Sequence, residues 1–391
     1  MNGSDDIDYD NVDTANIPFI NTLWYSKSMS EIILKTTIFL PVVVFGIFGN
    51  FLVIFILLKN NHIRTPTNLL IGNMALADLL SLLIHPWVTL TYDLFQNYQL
   101  GEFGCRTEAP VECSIMIASV ISMSAITYDR LTAIVLPTET RINRKGAKIV
   151  MLITWIVGIS LSVPIYLLRT YKERRWLDFL EKYCTENVLV TNIYWYVLTA
   201  ILIWLPLSIQ IICYISIFVK LSKYEKIIMK KLQQQQINYK KKAAKMMFIV
   251  TVTFMICRLP FTALIIYRQQ LIKVKKLASS PDVRNQVTGF YHTLWFTSKY
   301  LIFMNAAINP MIYGVTNEKF RRAFKTTKLS NWLFPPTNEE ILSKPLENQK
   351  TGQDTSSKYS IFLIFRRKLM RVPERHIKLV VTKKTIINTN L

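Results

Sequence analysis

Residues 32–58 read IILKTTIFLPVVVFGIFGNFLVIFILL, with Lys35 as their single charge. About 20 mostly apolar residues make a helix that crosses a bilayer, so this stretch is long enough to span one. It holds Pro41, which a soluble helix interior rarely tolerates. A membrane helix accepts it because neighbouring groups satisfy the freed carbonyl. Six further runs follow: Leu69 to Tyr92, Val111 to Leu136, Ile149 to Leu168, Ile193 to Val219, Met246 to Tyr267 and Phe290 to Val315. Pro86, Pro164, Pro206, Pro260 and Pro310 fall inside them. Seven such runs predict an all-α membrane protein, a seven-transmembrane helix bundle.

The bundle occupies residues 32–315 on this reading. Residues 1–31 form a tail, 316–330 a short amphipathic helix, and 331–391 a mostly disordered second tail. Composition narrows the class. The chain has 391 residues, a net charge of +22, 51% hydrophobic and 18% charged residues, and five cysteines. So much apolar content excludes a disordered chain. So few cysteines exclude a disulfide-knit scaffold. The charge would suit nucleic acid in a soluble protein, but here it is concentrated. Lys59 and Arg64, then Arg141, Arg144, Lys145 and Lys148, then the lysines between Lys220 and Lys245 lie in the first, third and fifth connections. Basic loops stay in the cytoplasm, so the N-terminal tail is expected outside and the C-terminal tail inside. No nucleic-acid partner is expected.

The N-terminal residues Asp5, Asp6, Asp8, Asp10 and Asp13 are acidic and show no cleavable leader pattern. Asn2-Gly3-Ser4 is a glycosylation sequon. In the C-terminal tail, Ile361 to Phe365 precede Arg366, Arg367 and Lys368, a segment that could rest on an anionic leaflet. Thr351, Thr355, Ser356, Ser357 and Ser360 could accept phosphate.

Polar groups inside a membrane are costly, so each is a functional candidate. They are Asn50, Asp78, Ser119, Asn305 and Asn309. A carboxylate with hydroxyl and amide oxygens nearby could hold a hydrated monovalent cation, such as Na+ at Asp78. The bland alternative is a satisfied network that packs the helices. No other cofactor is expected. No cluster has metal-ligand spacing, no phosphate-binding loop occurs, and nothing points to an enzyme.

Taken in order, these residues resemble the rhodopsin-like (class A) G-protein-coupled receptors over nearly all of residues 30–328. Gly49-Asn50 matches the first-helix motif and Leu76-Ala77-Asp78 the second. Asp129-Arg130-Leu131 ends the third helix where the family has Asp-Arg-Tyr. Trp155 sits in the fourth helix; Pro206 and Tyr214 fit the fifth; Phe254, Cys257 and Pro260 fit the sixth. Asn309-Pro310-Met311-Ile312-Tyr313 is the Asn-Pro-x-x-Tyr motif. Phe320-Arg321-Arg322 fits the amphipathic helix. The resemblance implies a multi-pass plasma-membrane receptor that triggers nucleotide exchange on a heterotrimeric G protein. Arrestin, a receptor kinase and membrane lipids would be further partners. Asp129, Arg130, Tyr214, Phe254, Pro260, Asn309, Pro310 and Tyr313 would carry activation. An arginine beside a carboxylate can be held by the pair and then released to other acceptors. Cys105 and Cys184 both face the oxidising side, and the resemblance implies a disulfide between them.

The departures speak to the ligand. Cys257-Arg258-Leu259-Pro260 has arginine where the family has tryptophan. A guanidinium in this position needs a partner. The resemblance puts two candidates on the same cavity, Glu112 and, further in, Asp78; Glu112 is the expected partner, with Lys299 sharing it. Arg258, Glu112 and Lys299 are expected to line the ligand pocket. An amine ligand would want Glu112 free. A retinal photoreceptor would need its lysine where Phe303 stands, one turn from Lys299. Three charges on the floor disfavour a lipid, and a transporter should show repeats or broken helices. A charged rim including Glu108, Arg169, Arg174 and Lys182 suits a peptide. The chain is similar to invertebrate neuropeptide receptors near the neuropeptide FF, orexin and tachykinin groups, with trissin receptors as a candidate. Gln99, where tryptophan is usual, changes the expected packing of the first outer loop.

Overall fold

A computed structural model describes residues 13–19, 23, 25–186, 188–227, 231–277 and 290–325. Asn2, the acids at 5–10, the connection 278–289 and the tail after 325 lie outside the described residues, as do the expectations placed on them.

The helices begin where the sequence supplies caps. Ser28 accepts the Glu31 amide at the start of α1 (Met29–Lys59). Thr65 accepts the Asn68 amide before α2 (Pro66–Leu94), whose first residue is a proline that needs no amide partner. A short 3-10 turn (Asn61–Ile63) joins the two. The third span is α3 (Gly101–Ile134). Asn143 caps α4 (Arg144–Leu168) through the Gly146 amide at 2.7 Å. The fifth span is composite: α5 (Val188–Val197), a π-helical stretch (Leu198–Trp204) and α6 (Leu205–Ile227). The sixth is α7 (Lys231–Leu277), the seventh α8 (Phe290–Thr316), and α9 (Glu318–Lys325) follows.

Six helices among the described residues are long and apolar enough to cross a membrane. The seventh, of 27 residues, carries the buried polar groups Lys299, Asn305 and Asn309. The outer surface is apolar. On α4, Ile149, Leu152, Ile156 and Ile159 are 58%, 62%, 54% and 57% exposed. That stripe has helical spacing and would be an aggregation site in water. Inside, Asn73 donates to Ser122 at 2.9 Å and Thr154 at 3.2 Å, and accepts from the Trp155 indole at 3.0 Å. This network ties the second, third and fourth spans together. Close helix contact requires small residues. A Cβ on Gly158 would stand 2.7 Å from the Ser114 carbonyl oxygen on the neighbouring span.

One element departs from an all-helical chain among the described residues. β1 (Arg169–Arg175) and β2 (Leu180–Glu186) pair antiparallel, with Tyr171 opposite Cys184. The charged loop expected between the fourth and fifth spans is thus a hairpin. The first connection on the same side packs against it. Asn97 donates to the Leu180 carbonyl at 2.8 Å and accepts the Lys182 amide at 2.9 Å, while Gln99 donates to the Asn97 carbonyl at 3.1 Å.

The sixth helix runs well beyond its apolar run on both sides. At its N-terminal extension, Glu225 of α6 pairs with Lys241 at 2.9 Å. These are the solvated extensions implied by the lysine-rich sequence.

Candidate functional site

Two constellations occupy opposite ends of the bundle. At the hairpin end, Cys105 and Cys184 form a disulfide that joins the start of α3 to β2. Ion pairs surround it. Arg169 meets Glu108 at 3.1 Å, and Tyr92 donates to the same carboxylate at 3.0 Å. Lys35 reaches Glu31 at 2.6 Å and Asp93 on the second span. The segment before α1 reaches the hairpin tip. The Thr14 hydroxyl donates to the Arg175 carbonyl at 2.7 Å, and Asp178 accepts the Phe19 amide at 2.7 Å. The Leu177 amide donates to the Ile17 carbonyl at 3.0 Å. Phe19 packs on Trp176 and Phe179, with ring centroids 5.5 and 4.8 Å away.

Below this roof, Lys299 donates to both oxygens of Glu112, at 2.9 and 2.8 Å. Its ammonium also lies 4.4 Å from the Phe261 ring centroid. This corrects the expected Glu112–Arg258 pair. Arg258 instead approaches the Met116 sulfur at 3.3 Å and the Phe254 ring at 5.4 Å. Met116 lies four residues along the third span from Glu112, about 6 Å deeper. The guanidinium is therefore one turn below the carboxylate, while the flexible lysine stem reaches it from the seventh span. Arg258 still lies within electrostatic reach of both Glu112 and Asp78. Its Nε has no partner among the described residues.

Deeper in the bundle, Asn309 donates to Asp78 at 2.8 Å, linking the seventh and second spans. Asn50 donates to the carbonyls of Gly46 and Ala306, both at 2.9 Å. The amide oxygens of Asn50, Asn305 and Asn309 are buried without partners among the described residues. Ser119 is also buried and donates to the Ile115 carbonyl at 3.1 Å.

At the opposite end, three groups close a triangle. Arg130 donates to Asp129 at 2.7 Å and also to the Thr67 hydroxyl. Thr67 donates in turn to Asp129 at 2.6 Å. Tyr214 is buried and shares a 3.0 Å hydrogen bond with Thr127. Tyr313 is buried with no hydroxyl partner among the described residues. Pro260 and Pro310 sit inside the sixth and seventh helices. A cavity of about 140 Å³ opens beside Arg130, lined also by Thr67, Asn68, Tyr239, Lys242 and Met246.

The chain matches the family model of the seven-transmembrane receptors (rhodopsin family) over residues 49–313. It belongs to that family. Substance-P receptors of Rattus norvegicus, Mus musculus and Homo sapiens are 27%, 27% and 26% identical to this receptor over 319 residues. The matches cover 78% of this chain and 72% of each relative. As a rhodopsin-family receptor, the protein is a multi-pass membrane protein whose activity is signalling.

The sequence reading brought Asp129 and Arg130 together, and likewise Asp78 and Asn309. It missed Thr67, which completes the Arg130 triangle, and Asn73. It also missed His85, buried on the second span with its Nε2 unpartnered among the described residues. All three lie on one span. The cost of intramembrane polar groups, applied to every residue of the second apolar run, would have found Asn73 and His85; Thr67 lies just before that run, in the first turn of α2, where no such signal reaches.

Proposed function

We propose that this receptor recognises a peptide at the hairpin end and activates a heterotrimeric G protein at the Arg130 end. The hairpin end then faces the cell exterior and the Arg130 end the cytoplasm, in the plasma membrane. The Glu112–Lys299 pair carries this reading. An amine ligand needs a carboxylate to neutralise its charge, and both oxygens of Glu112 are already engaged. The polar and charged roof of hairpin, first outer connection (Asn97, Gln99) and N-terminal segment offers many separated polar contacts instead, which suits a ligand of several residues. The likeness to substance-P receptors supports the same reading.

The amide and carboxylate oxygens around Asp78 fit a hydrated sodium ion. Asp78 would hold its charge, and Asn50, Asn305, Asn309 and Ser119 would supply neutral oxygens. Release of Arg130 from Asp129 would free its guanidinium for the G protein. Arrestin and a receptor kinase would act on the C-terminal tail, and its basic segment would meet membrane lipid.

The test is a screen of surface-expressed receptor against a neuropeptide library and an amine panel, with calcium and cyclic-nucleotide readouts. A peptide response is expected. A response to amines with none to peptides overturns the proposal.

A further inference from the structure

Arg258 is half-buried on the sixth span, next to Leu259, which is exposed on the outer, apolar surface. Its guanidinium turns the other way, into the bundle, against the Met116 sulfur of the third span and the Phe254 ring. Neither is a counter-ion. A thioether is a weak acceptor and a ring face a weak substitute for an anion, whereas a cation taken out of water needs a full partner.

The two carboxylates within electrostatic reach, Glu112 and Asp78, are engaged elsewhere. Lys299 holds both oxygens of Glu112, and Asn309 donates to Asp78. Neither carboxylate reaches Arg258 at hydrogen-bond distance among the described residues, and the Arg258 Nε is buried without a partner there. Between the levels of Glu112 and Met116, Lys299 and Arg258 thus stand against the one carboxylate of Glu112. The floor lacks an anion, and a ligand can bring it.

We propose that the peptide enters with its C-terminal end foremost and that a carboxylate on that end pairs with Arg258. This rests on the reading of the protein as a peptide receptor and names the chemistry of the peptide's tip. The charge follows from the floor. A guanidinium presents a planar fork that matches the two oxygens of a carboxylate, while an N-terminal ammonium would meet two cations. The use of a chain end follows from depth. Met116 comes eleven residues after Cys105, about 16 Å below the disulfide along the third span. No side chain of a peptide resting on the roof reaches that far, but about five extended residues do, at about 3.3 Å each. The carboxylate is the terminal one or the side chain of a last Asp or Glu, since both present the same pair of oxygens.

The experiment uses full-length, surface-expressed receptor and a neuropeptide library made twice, as free acids and as C-terminal amides, with calcium and cyclic-nucleotide readouts. Active peptides are expected to carry a carboxylate at the C-terminal end. Removing it should lower potency about a hundredfold, as for one partner of a buried charge pair. Amidation removes a terminal carboxylate, and exchange of a last Asp for Asn or Glu for Gln removes a side-chain one, so the two arms tell the sources apart. In Arg258→Gln the two forms of each peptide should become equally weak. Arg258→Lys keeps the charge but not the fork, and should retain only about a tenfold preference. Surface expression is measured for each variant, and Arg258→Lys decides should Arg258→Gln fail to reach the surface. Peptides stripped of both carboxylates that still activate the wild-type receptor fully overturn the proposal and leave the peptide reading intact. A hundredfold preference that persists in both variants also overturns it and moves the contact to Lys299. A response to amines with none to any peptide overturns the peptide reading itself, and this proposal with it.

Discussion

The two ends of the bundle are held by different kinds of bond. At the hairpin end the ties are covalent or ionic, and two of the ionic ones are doubled: Cys105–Cys184, Arg169 with Glu108, Lys35 between Glu31 and Asp93, and Lys299 on both oxygens of Glu112. At the Arg130 end a single carboxylate and one threonine hydroxyl hold the arginine, and Tyr313 has no hydroxyl partner among the described residues. A link with spare donors can be exchanged for another of similar strength. A buried pair with both oxygens engaged cannot be opened without exposing a charge to low dielectric. The hairpin end is built to keep its shape, and the Arg130 end to change partners.

The largest effect should come from breaking the fixed end. Glu112→Gln leaves the Lys299 ammonium without its carboxylate, which costs roughly 3–5 kcal/mol for a buried pair. Thermal midpoint in detergent and surface expression should both fall steeply. Glu112→Gln with Lys299→Gln should recover most of the loss, because no charge is then stranded. Arg258→Gln should cost less than Glu112→Gln, since Arg258 holds no carboxylate at hydrogen-bond distance. If Arg258→Gln alone matches Glu112→Gln and Lys299→Gln is silent, Arg258 is the true partner.

That choice of partner shows where sequence reading stops. The number of spans was legible because hydrophobic runs report directly on bilayer thickness, but the helix ends were not: the third starts at Gly101, ten residues before its apolar run, and the sixth runs from Lys231 to Leu277. The Asp129-Arg130 contact was legible because the two residues are adjacent in the chain. The pairing of Glu112 was not. Residues on three different helices compete for it, and depth along the axis decides. Arg258 sits level with Met116, one turn too deep, and no local pattern reports that offset. The π-helical stretch was hidden for a related reason. Its residues, LTAILIW, read as ordinary apolar helix. The hairpin was masked by its charge, since RTYKERR lacks the apolar alternation of a half-buried strand. Its order comes instead from the disulfide, from Asn97 and from the segment that rests on its tip.

The exchangeable end should respond to a smaller change. Thr67→Val removes one acceptor from Arg130 and one donor to Asp129 while keeping the side chain's shape. Each of these two hydrogen bonds is worth about 1–3 kcal/mol, part of which the released guanidinium and carboxylate recover by pairing with each other and with water. Basal nucleotide exchange on a reconstituted G protein should rise about tenfold, corresponding to about 1.4 kcal/mol. The thermal midpoint should move little. Unchanged basal exchange together with a large loss of stability would make this end as fixed as the other and erase the contrast.

The smallest effect should appear within the fixed end itself, where the N-terminal segment is its loosest part. Phe19 rests on Trp176 and Phe179, and its backbone N–H donates a hydrogen bond to the Asp178 carboxylate. An aromatic pair contributes roughly 0.5–1.5 kcal/mol, and less where solvent reaches the rings. Phe19→Ala should therefore loosen the segment without unfolding the hairpin. Amide hydrogen exchange separates the two. The Leu177 amide, which donates to Ile17, should exchange several-fold faster, since local opening sets its protection. Amides in the paired strands around Tyr171 and Cys184 should keep their protection, because the disulfide and strand pairing hold them independently. Equal acceleration at both places would mean that the segment and the hairpin open together, and that the roof is one cooperative unit closed by residues 13–19.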